Sequence, residues 1–217
     1  IMVNVPGHQP SLKLKLTKLA SARMLSRLKL TEPYRRTVDC HFKKKTHEKM
    51  IETKRLLIKP LSAEELKKHI DSPYDFAKEL GLIPSQSLID NDTKEAILND
   101  LLPNIIDITK DSDFYTMWIL IEKVKRAIIG AICFHGEPNE KGEVEIGYGT
   151  DLEHRNKGYM TESISGMIHW IRENKNVRSI TAETENTNIS SIKVLEKNDF
   201  KTIQQCENSV ILKLDIF

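Results

Sequence analysis

The stretch that decides the fold is "GEVEIGYGTDLEHRNKGYMTESISGMIHWI", residues 142–171. Apolar and polar side chains alternate through its first part, and this period of two predicts a strand. In its second part apolar side chains recur at helical spacing, which predicts a helix from about residue 160 to about residue 174. The apolar positions of this helix are Met160, Ile164, Met167, Ile168 and Ile171. A basic turn, Arg155 to Gly158, stands between the predicted strand and the predicted helix.

On the N-terminal side, the sequence predicts a strand, several helices and two further strands. Alternation around Leu56 and Ile58 predicts the opening strand, and Ser62 followed by Glu65 has the spacing of a capping box at a helix start. Residues 71–112 contain proline and glycine breakers between short amphipathic pieces, which predicts short helices. Two apolar runs follow, residues 114–122 and 127–136, and each predicts a strand. Short polar connections join them to each other and to the strand of the quoted stretch, so the three strands are predicted to form an antiparallel meander.

On the C-terminal side, "VRSITAETE", residues 177–185, predicts another strand. "NISSIKVLEKNDF", residues 188–200, predicts a short helix with Asn188 as its N-cap, and a closing hairpin completes the chain. The predicted fold class is therefore α+β: a mostly antiparallel central sheet of about six to seven strands, flanked by helices.

Length and composition exclude several classes of protein. A chain of 217 residues with 39% hydrophobic content can bury one sizeable core. The longest apolar run, residues 127–134, has the length of a strand, so no membrane partner is predicted and the protein is expected to be soluble. Its 3 cysteines are widely spaced and form no paired motif, which predicts neither a disulfide framework nor a metal site. A reducing cytoplasm is the expected location.

Charge divides the chain near Met50. Residues 1–49 hold 12 Lys and Arg against 3 Asp and Glu, a net charge of +9, whereas the total of +2 leaves −7 for residues 50–217. The predicted domains are thus a basic N-terminal extension and one globular domain. Four interpretations of the extension stay open: an artefact of cloning or upstream translation, an accessory segment packed on the core, a basic arm for nucleic acid or anionic membrane, and a transit-like peptide. Its two aromatic residues do not favour nucleic acid as a partner.

The basic turn has the features of an anion site. The first turn of a helix carries unpaired N–H groups and a partial positive charge, so it attracts phosphate. Gly158 lets the backbone approach an anion closely, while Arg155 and Lys157 add positive charge. No P-loop or dinucleotide-binding pattern is present. An ordinary solvated turn is the alternative. The predicted binding residues are Arg155, Asn156, Lys157, Gly158, Tyr159, Met160 and Thr161.

The quoted stretch resembles the central motif of the GNAT superfamily of acetyl-CoA-dependent N-acetyltransferases, R/Q-x-x-G-x-G/A. Arg155 and Gly158 match this motif, and Met160 replaces its last small residue. "TKRLLIKPL", residues 53–61, resembles the opening strand of the branch that includes ribosomal-protein N-terminal (alanine) acetyltransferases. Residues 188–200 resemble the N-x-x-S-x-x-x-L-E-K-x-G-F segment of that branch, with Asp199 in place of glycine. The resemblance extends in order over about residues 50–217.

This resemblance implies a GNAT fold whose fourth and fifth strands splay apart. The implied function is transfer of an acetyl group from acetyl-CoA to a primary amine, either a protein N-terminus or a small amine, by direct attack on the thioester. The backbone of Ile146, Gly147 and Tyr148 would bind the thioester oxygen and the pantetheine chain. An acyl-CoA-binding regulatory module with weak or no catalysis is the alternative function. A homodimer is left open.

The resemblance also indicates catalytic residues. Glu145 is the first candidate for the group that accepts the amine's proton, with a structural carboxylate as the alternative. Other candidates by residue type and position are Glu143, Glu183, Glu185 and His135. Leu195 occupies the position at which many family members place a tyrosine acid. Ser191 could instead donate to the sulfur or cap its helix, and Asn188 could bind pantetheine or serve as the N-cap.

Overall fold

The computed structural model of the protein describes residues 50–85 and 91–217. The predictions for the extension, residues 1–49, lie outside these residues. Within the described residues, eight strands form one sheet in the order β1-β2-β3-β4-β5-β6-β8-β7. The strands are β1 Ile51–Glu52, β2 Leu56–Pro60, β3 Met117–Glu122, β4 Ala127–Phe134, β5 Glu143–Thr150, β6 Ser179–Glu185, β7 Lys201–Gln205 and β8 Ser209–Asp215. All neighbours pair antiparallel except β5 and β6, which are parallel.

The predicted strand count of six to seven is wrong by one. The additional strand is β1, which pairs through Ile51 and Glu52 with the C-terminal neighbour β2. Two residues cannot display an alternating pattern, so the sequence carries no periodic signal for this strand. The remaining strands and the α+β class are confirmed.

The helices lie where the sequence predicts them. They are α1 Ala63–Asp71, α2 Pro73–Glu79, α3 Asn91–Ala96, α4 Leu102–Ile105, α5 Tyr159–Ile171 and α6 Ile189–Glu196, with a π-helical segment Ile97–Leu101 between α3 and α4. The predicted capping box begins α1, because Ser62 Oγ accepts from Glu65 N at 3.2 Å and Ser62 N donates to Glu65 Oε2 at 2.9 Å. Helix α5 ends at Ile171 rather than near residue 174. Residues 172–174 continue it as hydrogen-bonded turns, which carry the same helical sequence pattern a few residues further.

Two apolar layers cover the sheet. Helices α5 and α6 pack on one face, where every residue of the predicted α5 stripe is buried. Helices α1 and α2 pack on the opposite face of β2 to β4. Val144 and Ile146 point from β5 toward α5, and both are buried. Because side chains alternate along a strand, Glu145 and Gly147 lie on the other face of β5.

The sheet splays between β5 and β6, as predicted. Only residues Glu143 to Glu145 of β5 pair with β6, opposite Ser179 to Thr181. Beyond Glu145, β5 continues beside β4 as far as Thr150, whereas β6 continues beside β8. Counted from β2, these are the fourth and fifth strands. A gap therefore opens after Glu145, and the N-terminus of α5 follows β5.

Candidate active site

Every second residue of β5 directs its backbone N–H and C=O groups toward the gap. His135 N–H donates to Glu145 O at 3.0 Å, and Asp151 N–H donates to Ile129 O at 2.9 Å. Odd-numbered residues of β5 therefore direct their backbone groups toward β4, and even-numbered residues direct them toward the gap. Ile146 N–H takes part in the last register with β6, Glu145 opposite Thr181, so Tyr148 is the residue that can offer its N–H group to a ligand there. Gly147, predicted together with them, instead directs its N–H toward Cys133 on β4.

The first turn of α5 has an uncapped N-terminus. Gly158 is the N-cap residue, in the left-handed conformation with φ of 76° and ψ of 9°, and no side chain caps the helix. The first helical hydrogen bond is donated by Glu162 N to Gly158 O at 3.1 Å, so the N–H groups of Tyr159, Met160 and Thr161 precede it. Asn156 also has a positive φ of 59°. This turn presents main-chain donors in the arrangement that binds phosphate.

The structure gives Gly158 a conformational reason in addition to the predicted one. A Cβ built at this position would meet only Arg55 Nη2, at the ordinary contact distance of 3.5 Å. Space within the protein is therefore not what requires glycine here. Its left-handed φ is the requirement, because that conformation is costly for residues with a Cβ.

The two basic side chains of the turn are engaged within it. Arg155 Nε donates to Thr150 O at 3.0 Å, and Lys157 Nζ donates to Glu153 O at 2.6 Å. Both residues are exposed. These bonds fasten the turn to the end of β5 and to its own backbone, which supports an anion site in which main-chain groups contribute most.

Sequence reasoning missed Arg55, which joins the opening strand region to this turn. Its Nε lies 2.6 Å from Glu162 Oε2, and its Nη1 donates to Lys157 O at 2.9 Å. Its guanidinium carbon lies 4.4 Å from the centre of the Tyr159 ring, a cation–π contact. Arg55 thus contacts the turn and the first residues of α5 at three points.

Glu162, the other missed residue, is the acceptor at the centre of this contact. Its Oε1 accepts from Thr53 Oγ1 and from Arg55 N, both at 2.6 Å, and its side chain is 17% exposed. Burial disfavours its charged form, but the bonds from Thr53 and Arg55 outweigh burial and lower the pKa of Glu162. The available signal was an acidic residue in the first turn of a helix, which does not reveal a partner far away in the chain.

This lowered pKa predicts an acid-dependent loss of stability. Folded protein keeps Glu162 ionised at pH values where the unfolded chain already protonates it, so its stabilising effect is complete above the ordinary pKa of 4.5. The effect declines as pH falls through the lower pKa of the folded state. In urea unfolding, Glu162→Gln should therefore be less stable than wild type at pH 7, with the difference shrinking toward pH 3. Glu173→Gln, an exposed change beyond α5, is the control; a constant difference for Glu162→Gln would contradict this.

Ser191 and Tyr148 meet across the gap. The Tyr148 hydroxyl lies 2.9 Å from Ser191 Oγ. Asn188 caps α6, as predicted, because its Oδ1 accepts from Ser191 N at 3.1 Å, so the Ser191 hydroxyl is not the cap. Burial raises the pKa of Tyr148, which keeps the phenol protonated at neutral pH. Leu195 is fully buried in the core and offers no acid.

The candidate proton acceptors have different partners. Glu143 binds Lys213 Nζ at 2.6 Å, and this bond lowers the pKa of Glu143. Glu183 accepts from Ser209 Oγ at 2.6 Å, and Glu185 accepts from Thr187 Oγ1 at 3.3 Å. Glu145 instead lies 3.0 Å from His135 Nδ1. The structure thus brings two separately predicted acceptors together.

The two departures from the family motif are accommodated. Met160 is buried with 6% exposure, so it packs inward as expected. Asp199 adopts a φ of 66°, the left-handed conformation expected where the family has glycine. Both departures leave the turn and the end of α6 intact.

The described residues contain neither a metal-binding cluster nor a membrane-spanning helix. No group of three or more His, Cys, Asp or Glu side chains is arranged to hold a metal ion in residues 50–85 and 91–217. In the same part of the chain, no helix has both the length and the apolar character needed to cross a membrane.

A splayed sheet beside an uncapped helix N-terminus defines a class of protein that can hold an extended anionic ligand in the gap. Residues 55–201 match the model of the Acetyltransferase (GNAT) domain, and the chain belongs to this family. The protein is therefore an acetyltransferase.

Known relatives agree with this assignment. The uncharacterized N-acetyltransferase YjdG of Bacillus subtilis (strain 168) is 32% identical over 151 residues, which are 70% of this chain and 89% of the relative. The ribosomal-protein-S5-alanine acetyltransferase from Vibrio fischeri is 16% identical with a TM-score of 0.57, covering 77% of this chain and 97% of that one. RimL, a ribosomal L7/L12 alpha-N-protein acetyltransferase in complex with coenzyme A, is 13% identical with a TM-score of 0.53 and coverages of 77% and 98%. These two structures are similar in fold.

Proposed function

We propose that the protein transfers the acetyl group of acetyl-CoA to a primary amine, either a protein N-terminus or a small amine. The proposal rests on the end of β5–β6 pairing at Glu145, followed, after the rest of β5 and the basic turn, by the uncapped N-terminus of α5. The gap provides backbone donors for an extended chain, and the helix N-terminus provides donors for a diphosphate. Acetyl-CoA has both parts, joined in the same order.

The described residues fit each part of this cosubstrate. The N–H groups of residues 156–161, supported by Arg155 and Lys157, bind the diphosphate. The N–H group of Tyr148 is available to the pantetheine chain or the thioester oxygen, where donors aimed at a developing oxyanion accelerate acyl transfer, whereas Ile146 N–H lies in the last register with β6. Asn188, exposed at the start of α6, offers its side-chain amide to pantetheine.

The reaction needs a neutral amine. An amine with a pKa near 10.4 is about three units too protonated at pH 7, a cost of roughly 4 kcal/mol, whereas an α-amine near 8 needs much less help. Glu145 and its neighbour His135 provide the proton-accepting end of the site, whereas Glu143 is paired with the Lys213 ammonium, which is no proton acceptor. A protein N-terminus therefore needs a weaker proton acceptor than a lysine-like amine does.

The leaving thiolate needs a hydrogen-bond donor. Ser191 and Tyr148 supply one, because their hydroxyls bond to each other at the gap and the phenol stays protonated. In many family members a tyrosine at the position of Leu195 would donate this proton, and here the two hydroxyls replace it. In this protein, the donor comes from β5 and the first turn of α6 together.

A protein N-terminus is the first acceptor to test. Two proteins of similar fold act on ribosomal proteins: one is a ribosomal-protein-S5-alanine acetyltransferase and the other a ribosomal L7/L12 alpha-N-protein acetyltransferase. Peptides that begin with alanine are therefore the first probes. Small primary amines, including a diamine and a polyamine, complete the panel.

Calorimetry with acetyl-CoA, together with a thiol-release assay over this panel, tests the proposal. We expect saturable binding and release of free CoA that depends on both the protein and one class of amine. Reactions without protein and without amine are the controls. Binding without turnover would favour the regulatory module, and no binding would overturn the proposed function.

A further inference from the structure

His135 and Glu145 form a pair at the mouth of the gap. His135 directly follows β4, and its Nδ1 lies 3.0 Å from Glu145 Oε1 on β5. The two residues are also joined by the backbone bond from His135 N to Glu145 O. The side chains are 55% and 43% exposed, so the pair is in contact with water. A contact this exposed contributes little to folding stability.

The other ring nitrogen of His135, Nε2, lies beside β5. A Cβ built at Gly147 would lie 3.1 Å from His135 Nε2, so this nitrogen lies against β5 at Gly147. Gly147 directly precedes Tyr148, whose N–H group faces the gap beyond the last residue paired with β6. The Nε2 atom is therefore beside the strand segment to which the proposed function assigns the thioester.

The carboxylate selects which ring nitrogen can accept a proton. When Glu145 accepts from Nδ1–H, the lone pair of the neutral imidazole is on Nε2. Two titratable groups lie near the ring: Glu145 on β5 contacts Nδ1, and Cys133 on β4 lies near the same position of Gly147 as Nε2 does. Burial raises the pKa of Cys133 to about 11, so this thiol is neutral at pH 7 and does not compete for the proton.

We propose that His135 is a catalytic residue whose Nε2 accepts the proton of the attacking amine, while Glu145 orients the imidazole as a positioning residue. This inference rests on the proposed function and changes the role of Glu145 within it. The amine nitrogen forms a bond to the thioester carbon, its proton passes to Nε2, and the C–S bond breaks. The thiolate takes one proton through the Ser191 and Tyr148 hydroxyls, and this pair recovers one proton from solvent. His135 returns the proton of the amine to solvent, so the products are the amide and free CoA and both groups regain their starting protonation.

The test compares variants with the panel amine that gives the fastest thiol release in wild type. We expect His135→Gln to lower kcat/KM roughly 100-fold, the usual range for loss of a general base, with acetyl-CoA affinity within about twofold of wild type. A histidine ordinarily changes charge between about pH 5 and 8. The acidic limb of the kcat/KM profile should therefore disappear in His135→Gln. The acidic limb should persist in Glu145→Gln, with kcat/KM about tenfold below that of wild type, because the imidazole is present but no longer oriented.

Two glycine variants on the same face of β5 provide a matched comparison. Gly147→Ala places a Cβ 3.1 Å from Nε2 and should displace the ring, which lowers kcat about tenfold. Gly149→Ala meets nothing within 4 Å and should leave kcat unchanged. Equal effects of the two alanines would contradict the assigned position of the ring.

The outcomes separate this inference from the function it rests on. If wild type releases CoA and His135→Gln retains both its rate and its acidic limb, the role of His135 is overturned and acetyl transfer stands. Loss of the limb in Glu145→Gln but not in His135→Gln would make the carboxylate the base and would also overturn it. Absence of turnover by wild type with every amine would overturn both proposals.

Discussion

Replacing Gly158 with valine should weaken acetyl-CoA binding at least about 30-fold, or ~2 kcal/mol. Gly158 has a φ of 76°, and left-handed backbone costs a residue with a Cβ roughly 1–2 kcal/mol, with β-branched residues at the upper end. To escape this strain the turn must move, and the N–H groups of Tyr159 to Thr161 then lose their common direction. Calorimetry with CoA measures the effect, and thermal unfolding without ligand measures the accompanying loss of stability.

Two other variants serve as controls for Gly158→Val. Lys157→Ala should weaken binding no more than about threefold, because Lys157 Nζ already donates to Glu153 O and the residue is exposed. Gly158→Asn should bind nearly as well as wild type, because asparagine tolerates the left-handed conformation. If Lys157→Ala weakened binding more than Gly158→Val, the side-chain charges would dominate the anion site.

Replacing Arg55 with alanine should raise the KM for acetyl-CoA about tenfold and change kcat much less. The change removes the bond to Lys157 O, the cation–π contact with Tyr159 and the ion pair with Glu162. Hydrogen bonds to charged groups are worth about 1.5–3 kcal/mol, and the partial exposure of Arg55 reduces this, so the free energy of unfolding should fall by about 1–2 kcal/mol. Steady-state kinetics and urea unfolding measure the two effects.

Arg55→Lys and Arg172→Ala complete this experiment. Lysine keeps the charge but lacks the planar fork, so Arg55→Lys should recover only part of the affinity. Arg172 is exposed at the other end of α5, and its removal should leave the KM unchanged. Full recovery by lysine would mean that charge alone is required. An unchanged KM in Arg55→Ala would contradict a positioning role.

The sequence predicts those parts of the molecule in which neighbours along the chain determine the structure. The capping box at Ser62, the stripe of α5 and the cap at Asn188 each depend on residues within a few positions of one another. The splay of β5 from β6 was implied by the family resemblance. The strand β1 escaped because two residues display no period.

The missing parts of the site depend on contacts between distant segments. Arg55 directly precedes β2 and Glu162 lies in the first turn of α5. No sequence-spacing rule relates two residues so far apart in the chain. Tyr148 was predicted for its backbone, because only the fold shows that its hydroxyl reaches Ser191. His135 and Glu145 were separate candidates until the antiparallel pairing of β4 with β5 brought them together.

The short pairing of β5 with β6 also means that a ligand bound in the gap would help to hold the sheet together. The sheet consists of two halves, β1 to β5 and β6 to β8, whose only register between them is Glu143 to Glu145 with Ser179 to Thr181 among the described residues. Under the proposed function, a cosubstrate in the gap would contact both halves, so its binding free energy would also oppose their separation. At 100 times its dissociation constant, such a ligand adds about 2.7 kcal/mol to the free energy of unfolding. Acetyl-CoA would then act as a stabiliser of the folded sheet as well as a cosubstrate.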